Sequence, residues 1–318
     1  MLAAGLGCTM PNPWFQVNED ASTSGSASDT STSAGASEAS SADPPGSGSE
    51  DGGSSSAAIA SSSSEPAPGT TSTSDPGDPG SSGDASTGDA LCDDLCGTPN
   101  CGDCPSDNAM IAFDQFSIHA HEVSNASYQQ FLDAHVDPAS QGLACLWNDS
   151  FEPTTWPVAD GQLPVVNVDW CDARAYCHWS GHRLCGAILG GPTTVAQAFK
   201  PEFDQWHHAC TKAGTRPFPY GTQYDPSACN VHDFDPNKDA LVPVGTLSSC
   251  EAPLPGLFDL SGNVWELTDT CTGDGPDDTC LRRGGSLYSL EPDLGCYIKS
   301  PKPRKDVYHY VGFRCCSL

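Results

Sequence analysis

Cysteine content is the feature that most limits the folds open to this 318-residue chain. Of its 17 cysteines, all except Cys8 fall between Cys92 and Cys316. Such a dense, even-numbered set is typical of domains that fold in an oxidising compartment, where each disulfide contributes about 2–4 kcal/mol by restricting the unfolded chain. We therefore predict an exported, extracytoplasmic domain in which the following cysteines form disulfides: Cys92, Cys96, Cys101, Cys104, Cys145, Cys171, Cys177, Cys185, Cys210, Cys229, Cys250, Cys271, Cys280, Cys296, Cys315 and Cys316.

The spacing of some cysteines restricts their pairing. Cys171 and Cys177 lie six positions apart in a predicted helix, on different faces, so we expect each to bond a distant partner. Cys315 and Cys316 are adjacent in a predicted strand and also need separate partners. Four cysteines within residues 91–107 have a spacing that could hold zinc, but the exported context favours a small cystine-rich segment.

The region before these cysteines has a different composition. Residues 9–90 are rich in Ser, Thr, Gly, Pro and Asp, and such a segment buries too little apolar surface to fold. We predict a disordered linker there, followed by the cystine-rich segment and a folded domain over residues 108–318. Residues 1–8 end in Gly7-Cys8 and resemble the tail of a bacterial lipoprotein signal, which predicts a lipidated Cys8 and a cell-envelope or secreted location.

Charge excludes one class of partner. The chain has 41 acidic residues against 13 Lys and Arg, for a net charge of −28, which disfavours nucleic acid and anionic membrane surfaces. Any membrane contact is therefore expected through the lipid anchor alone. The basic stretch Lys299 to Asp306 is the most distinctive surface on this acidic background, although charge runs usually face water.

Local patterns predict mixed α and β structure with many loops. Alternating apolar residues predict one strand from Ile111 to Ile118, and Ser124 or Asn125 is expected to cap a helix. Further predictions are a strand over Val165–Val168, a helix from Asp169 to Trp179 ended by Gly181, a short helix around Trp206, and two buried strands within residues 280–290 and 308–316.

Several ordered motifs together resemble one known family. They are HEVSNASYQQFL, LPVVNVDWCDARAYCHWSGHRLC, FPYGTQYDPSACN, PVGTL, GLFDLSGNVWELTD, LRRGGS and VGFRC. This series, which covers about residues 112–316, is similar to the formylglycine-generating enzyme (sulfatase-modifying factor) domain. The resemblance implies an α+β, variant C-type-lectin-like fold with little regular secondary structure.

The resemblance also implies calcium in the glycine-punctuated turn. Its ligands would be Asp259, the carbonyls of Gly262 and Val264, and Glu266, a mixture of carboxylate and carbonyl oxygens that suits Ca²⁺. The alternative is an ordinary capped turn with solvated carboxylates. A second, weaker set would comprise Asn230, Val231 and either Asp235 or Asp239.

The catalytic cysteines of the family are not found at the corresponding positions. Its members oxidise a substrate cysteine to formylglycine with O₂, using two thiolates that hold copper(I), and soft sulfur is what binds that ion selectively. Here those positions are Ser289 and Leu294, so copper is not expected, and the nearby Cys296 is better explained as half of a disulfide. What remains of the family's site is its walls, namely Trp265, Ser286 and Ser289, with Arg283 and Tyr288 as further members.

Two functions follow from this pattern. The favoured one is a calcium-stabilised binding module without catalytic activity, for a protein, peptide or glycan ligand. The alternative is a formylglycine-generating oxidase whose thiol ligands have moved, using Cys296.

Overall fold

A computed structural model describes residues 91–92, 94–235 and 240–318. The predicted signal, the lipidated Cys8, the linker and Asp239 lie outside these residues, so those predictions stay predictions. The described part contains three α-helices, α1 (Asn125–Asp133), α2 (Trp170–Trp179) and α3 (Gln205–Thr211). Its strands are β1 (Met110–Ala112), β2 (Ser117–His119), β3 (Arg183–Leu184), β4 (Trp265–Cys271), β5 (Thr279–Arg283), β6 (Ser300–Pro303), β7 (Val311–Phe313) and β8 (Cys315–Ser317).

The strands form two small sheets. One has the order β1-β2-β8-β3 and is antiparallel throughout, and the other has the order β6-β5-β4-β7, in which only the β4–β7 pair is parallel. Arg314 alone separates β7 from β8, so the end of the chain passes from one sheet directly into the other. Short strands, three helices and long connecting loops make this an α+β fold with little regular secondary structure, as predicted.

Three predicted strands differ from the structure. The segment over residues 308–316 is not one strand but contains β7 and the start of β8, which belong to different sheets. The segment from Ile111 to Ile118 is a hairpin, not one strand, because the chain reverses between Phe113 and Phe116, whose rings stack at 4.6 Å. The Phe113 N–H donates to the Phe116 carbonyl at 2.7 Å and closes the turn. Residues 165–168 do not form a ladder strand, and Asn167 has a φ of +60°, which interrupts regular extended backbone.

The helix boundaries follow their capping residues. Ser124 caps α1 by accepting the Ser127 N–H at 3.1 Å. At the start of α2, the Asp169 side chain accepts the Asp172 N–H and the Asp172 side chain accepts the Asp169 N–H, each at 2.9 Å. Caps of this kind stabilise a helix by about 1 kcal/mol each. Gly181, at a φ of +78°, follows the end of α2 as predicted.

Aromatic side chains form the centre of the larger core. Tyr128 and Phe131 of α1 pack against Tyr176 and Trp179 of α2, and Phe313 of β7 completes the group; ring-centroid distances lie between 5.4 and 6.4 Å. All five side chains are 1% exposed or less. This packing fixes both helices against the β4–β7 sheet.

Every cysteine of the described part is in a disulfide. The pairs are Cys92–Cys101, Cys96–Cys104, Cys145–Cys171, Cys177–Cys315, Cys185–Cys316, Cys210–Cys296, Cys229–Cys250 and Cys271–Cys280. Cys171 and Cys177 bond different partners, as do Cys315 and Cys316, in agreement with the predicted geometry. The four cysteines near the start of the domain form two disulfides that cross in sequence. This confirms the predicted cystine-rich segment and leaves no thiolate there for zinc. Eight disulfides indicate an oxidising, extracytoplasmic environment.

Within the part of the chain that the structure describes, no helix has the length and apolar character needed to cross a bilayer.

Candidate functional site

A cleft of about 520 Å³ opens where β4, β5 and β6 meet the loop after β5. Its lining consists of Trp265, Arg282, Ser286, Tyr288, Ser289, Asp293, Lys299, Ser300, His309 and Tyr310. The structure therefore brings three predicted wall residues, Trp265, Ser286 and Ser289, into one cavity, together with Tyr288. A volume of this size is within the usual range of small-molecule sites, about 300–1,000 Å³.

Strand alternation decides which of two adjacent arginines reaches the cleft. In β5, Arg282 and Arg283 point to opposite faces of the sheet. Arg283 is fully buried, donates to the Ala198 carbonyl at 2.9 and 3.0 Å, and packs its guanidinium against Phe199 and Trp206. The prediction that Arg283 forms a wall of the cleft is thus wrong, and Arg282 has that place.

Two glycines turn the chain from β5 into the floor of the cleft. Gly284 and Gly285 have φ values of +87° and +77°, and a Cβ at Gly285 would lie 2.8 Å from the Asp293 carbonyl oxygen. The loop that follows is closed by two bonds. The Ser286 N–H donates to Ser289 Oγ at 3.0 Å, and the Ser289 N–H donates to the Ser286 carbonyl at 2.9 Å. The Ser289 hydroxyl is therefore held by the backbone of its own loop.

The Arg282 guanidinium is enclosed by aromatic rings and is incompletely bonded. It lies 5.1 Å from the ring centre of Trp265, 5.0 Å from Tyr308 and 5.5 Å from Tyr310, which are cation–π distances. Its Nε donates to Ser300 Oγ at 3.1 Å, but the buried Nη1 has no hydrogen-bond partner among the residues that the structure describes. Burial lowers the pKa of Arg282, against an opposing effect of Tyr310, yet an arginine stays charged near neutral pH.

More exposed rings and a lysine surround the mouth of the cleft. Tyr288 is 40% exposed and packs edge-on against His309 and Tyr310 at 5.6 and 5.7 Å. Lys299, the first residue of the predicted basic stretch, also lies in the lining and is exposed. The lining thus combines rings, serine hydroxyls and two permanent cations.

The rest of the basic stretch has other roles. Arg304 is buried over the ring of Trp170 at 3.9 Å and donates to the Asp274 carbonyl. Lys305 is exposed and pairs with Asp277 at 2.6 Å. The stretch is therefore divided between the cleft and the packing beneath it, and does not form one continuous basic surface.

The donor set of the cleft does not fit copper(I). Ser289 offers a hydroxyl, and Leu294 is an apolar side chain that is 1% exposed. Cys296 is fully buried and bonded to Cys210, and every other cysteine in the described ranges is also in a disulfide. Because copper(I) requires soft sulfur ligands, use of Cys296 would first need reduction of that bridge.

The predicted calcium turn is buried, and the carboxylate of Glu266 is already paired with a cation inside the protein. Glu266 is 1% exposed, and its two oxygens accept Arg314 Nε and Nη2, each at 2.7 Å, and Trp206 Nε1 at 2.8 Å. Asp259 Oδ2 accepts the Gly245 N–H at 2.6 Å. As placed, Glu266 does not fit a calcium ion, because an ion would have to displace a bidentate guanidinium. The calcium prediction stays a prediction.

The second predicted set lies against the same turn. The Asn230 carbonyl accepts the Asn263 N–H at 2.7 Å, and the Val231 carbonyl accepts the Phe234 N–H at 3.0 Å. Gly262, at a φ of +76°, allows this contact, because a Cβ there would lie 2.4 Å from the Asn230 carbonyl oxygen. Both carbonyls are thus already hydrogen-bonded within their loops, and Asp235 also makes contacts of its own.

A further buried carboxylate, not predicted from the sequence, belongs to this cluster. Glu122 is fully buried, its Oε1 accepts Asn263 Nδ2 at 3.2 Å, and its Oε2 has no partner within the described ranges. Burial raises the pKa of Glu122 well above its usual value, and Asp259 adds to the rise while Arg314 opposes it. Burial alone lowers the pKa of Arg314, but Glu266 outweighs that effect and raises it, which favours the ionised pair. Nothing in the sequence around Glu122 separates it from a surface glutamate.

The sequence model of the Sulfatase-modifying factor enzyme 1-like domain matches residues 83–317. The chain is 32% identical over 169 residues to the mouse protein named "Inactive C-alpha-formylglycine-generating enzyme 2", covering 49% of each chain. It is 25% identical over 266 residues to mouse "Formylglycine-generating enzyme", covering 64% of this chain and 66% of that one. A solved structure of PvdO from Pseudomonas aeruginosa is 18% identical, with a TM-score of 0.46 over 64% of this chain and 80% of that one. The chain thus spans about half the length of the inactive relative.

Proposed function

Because this chain belongs to the sulfatase-modifying factor enzyme 1-like domain family, we propose that it is a binding module that uses the family's cleft without oxidative catalysis. The observation that carries this proposal is the chemistry at the two catalytic positions. Ser289 and Leu294 offer no thiolate, and the neighbouring Cys296 is buried in a disulfide with Cys210. Similarity to a relative named as inactive supports the same conclusion.

The cleft itself has the properties of a ligand site. Its rings and hydroxyls surround a guanidinium that the protein leaves partly unbonded, and such a buried donor gains most from a ligand that completes its hydrogen bonds. Surrounding disulfides, in particular Cys210–Cys296 beside the loop of the cleft, hold the walls in place. A rigid site loses less conformational entropy when a ligand binds.

The location is the second part of the proposal. We infer that the domain acts outside the cytoplasm, tethered through a lipid on Cys8. The eight disulfides support the oxidising location, and the signal-like residues before Cys8 support the tether. Metabolic labelling with a radioactive fatty acid tests the anchor, since incorporation should be lost in a Cys8→Ser variant.

An assay of the family reaction tests the absence of catalysis. The full chain is incubated with copper(I), O₂ and a peptide carrying the family's Cys-x-Pro-x-Arg target, and the peptide is examined by mass spectrometry. We expect the thiol to stay intact while an active family member, assayed in parallel, converts it to the aldehyde.

A matched variant makes a negative result informative. Ser289→Cys/Leu294→Cys restores two thiols at the family positions, and we expect this variant, unlike the natural chain, to bind copper(I) in native mass spectrometry. Conversion of the peptide by the unaltered chain would overturn the proposal. Loss of that conversion in a Cys296→Ala variant would then favour the relocated-thiol oxidase.

A further inference from the structure

We propose that the cleft binds a small ring compound carrying a carboxylate, with the carboxylate on Arg282 and the ring against the aromatic residues of the mouth. This inference rests on the proposed binding function and names the class of ligand. Four observations carry it: the unsatisfied guanidinium, the local charge, the exposed rings and the character of the neighbouring sheet edge.

The first observation is the state of Arg282. Arg282 is only 5% exposed, and its Nε already donates to Ser300 Oγ. The terminal Nη1 is the atom without a partner among the described residues, and Arg282 lines the cleft. A planar guanidinium of this kind is matched by a planar anion that accepts two parallel hydrogen bonds, and a carboxylate is such an anion.

Local charge points the same way. The lining contains two permanent cations, Arg282 and Lys299, against one carboxylate, that of Asp293, which is exposed. The chain as a whole carries a net charge of −28, so a site with excess positive charge stands out from its surroundings. A negative ligand group is attracted to that site and repelled by most of the remaining surface.

The aromatic side chains at the mouth of the cleft indicate that the rest of the ligand is a ring. Trp265 is 6% exposed and one of its faces is taken by Arg282, whereas Tyr288 at the mouth is 40% exposed. Tyr288, His309 and Tyr310 pack edge-on, which leaves ring surface available to stack on a second ring. Ser286, Ser289 and Ser300 belong to the same lining, and their hydroxyls, each of which accepts one hydrogen bond within the protein, can still donate to polar substituents on that ring.

The adjoining sheet edge disfavours an extended peptide. Strand β6 is at the edge of its sheet and begins at Ser300, in the lining of the cleft. Along β6, alternate residues direct their N–H groups toward β5 and away from it. Ser300 and Lys302 have N–H groups and can donate them to β5, so the residues whose N–H groups would face outward are Pro301 and Pro303, which have none. A peptide cannot add as a further strand along this edge, because the donors it needs are missing.

A titration of the full chain with two pairs of small molecules tests the inference. Methyl β-D-glucuronide is compared with methyl β-D-glucoside, and 4-hydroxybenzoate with 4-hydroxybenzamide, by calorimetry and ligand-observed NMR. At least one acid should bind at least tenfold more tightly than its neutral counterpart. The acid that binds identifies the source of the carboxylate as a sugar acid or an aromatic acid.

Variants assign the binding to the cleft. Arg282→Gln should weaken the acid by about 10- to 100-fold, the usual effect of losing a charged hydrogen-bond pair. Lys305→Gln removes an exposed cation outside the cleft and should change nothing. Should Arg282→Gln fail to fold, as judged by circular dichroism, Lys299→Gln and Tyr288→Ala replace exposed side chains of the lining, and each should weaken the acid at least threefold.

Three results would overturn the inference: equal binding of acid and neutral partner, no binding of either acid at millimolar concentration, or acid binding that none of the lining variants weakens. None of these results bears on catalysis. The proposed function fails on a separate readout, the oxidation of the target peptide, so the two failures are distinguishable.

Discussion

Replacement of Arg314 by Met is expected to destabilise the domain more than any other single change of a basic residue to Met in the described part. Arg314 is fully buried and donates to Glu266 twice, to the His119 carbonyl at 3.1 Å and to the Phe258 carbonyl at 2.9 Å. Methionine keeps much of the apolar volume but removes the charge and all four bonds. The carboxylate of Glu266 would then be buried without its countercharge.

The magnitude follows from the buried ion pair. Removal of one partner of such a pair costs about 3–5 kcal/mol, because the remaining charge is left uncompensated. For a domain of about 225 residues, about 1 kcal/mol lowers the melting temperature by about 2–4 °C, so the expected fall is about 6–20 °C. Two further buried carboxylates, Glu122 and Asp259, lie close enough to Arg314 to affect its pKa, which favours the upper part of that range.

Chemical denaturation with the disulfides intact provides the measurement. Arg314→Met, Glu266→Gln and the double variant form a cycle, and the double variant should be less destabilised than the sum of the single ones. Lys305→Met is the matched control, since it removes the same charge from an exposed pair and should leave the midpoint unchanged. Additive effects in the cycle, or an Arg314→Met midpoint equal to that of the natural chain, would refute the reasoning.

Three further predictions concern pH, calcium and one disulfide. Burial raises the pKa of Glu122, so the folded state holds its proton more tightly than the unfolded state, and stability is lost as pH rises from the unfolded pKa of 4.5 to the folded pKa. Relative to a Glu122→Gln variant, the natural chain should lose up to about 1.4 kcal/mol of stability per pH unit in that window. A difference in stability between the two proteins that does not change with pH would contradict the assignment. EGTA should leave the melting temperature unchanged, because the Arg314 guanidinium already occupies both oxygens of Glu266, whereas a fall of several degrees would support calcium there. Loss of the Cys210–Cys296 disulfide, which closes a loop of 86 residues, should cost about 4.6 kcal/mol by the loop-entropy relation, against about 2.6 kcal/mol for Cys271–Cys280, which closes a loop of 9. Chemical denaturation of the two double-Ala variants checks which is less stable. A Cys271–Cys280 variant less stable than the Cys210–Cys296 variant would contradict the prediction.

Sequence patterns were reliable where the cause is local. The caps at Ser124 and Asp169 placed two helices, because the side-chain acceptor of the residue just before a helix binds backbone N–H groups two or three residues further on. Sequence patterns failed where two local conformations were equally compatible with the sequence and a tertiary contact determined which one forms. Alternation over residues 111–118 does not show that Phe113 and Phe116 stack across a turn, and the dipeptide Arg282-Arg283 does not show which guanidinium faces the cleft.

The sequence by itself determined the family, the oxidising environment of the cysteines and the lack of thiols at Ser289 and Leu294, because each of these depends only on residue identity and order. Only the tertiary structure decided the charge balance of the interior and of the cleft. Arg314 meets Glu266 from 48 positions away, and Lys299, in the loop before β6, lines the same cleft as Arg282 of β5. Such pairings follow from how the sheets pack, and the energy of a charge depends on its burial and its neighbours, neither of which is written in the order of residues.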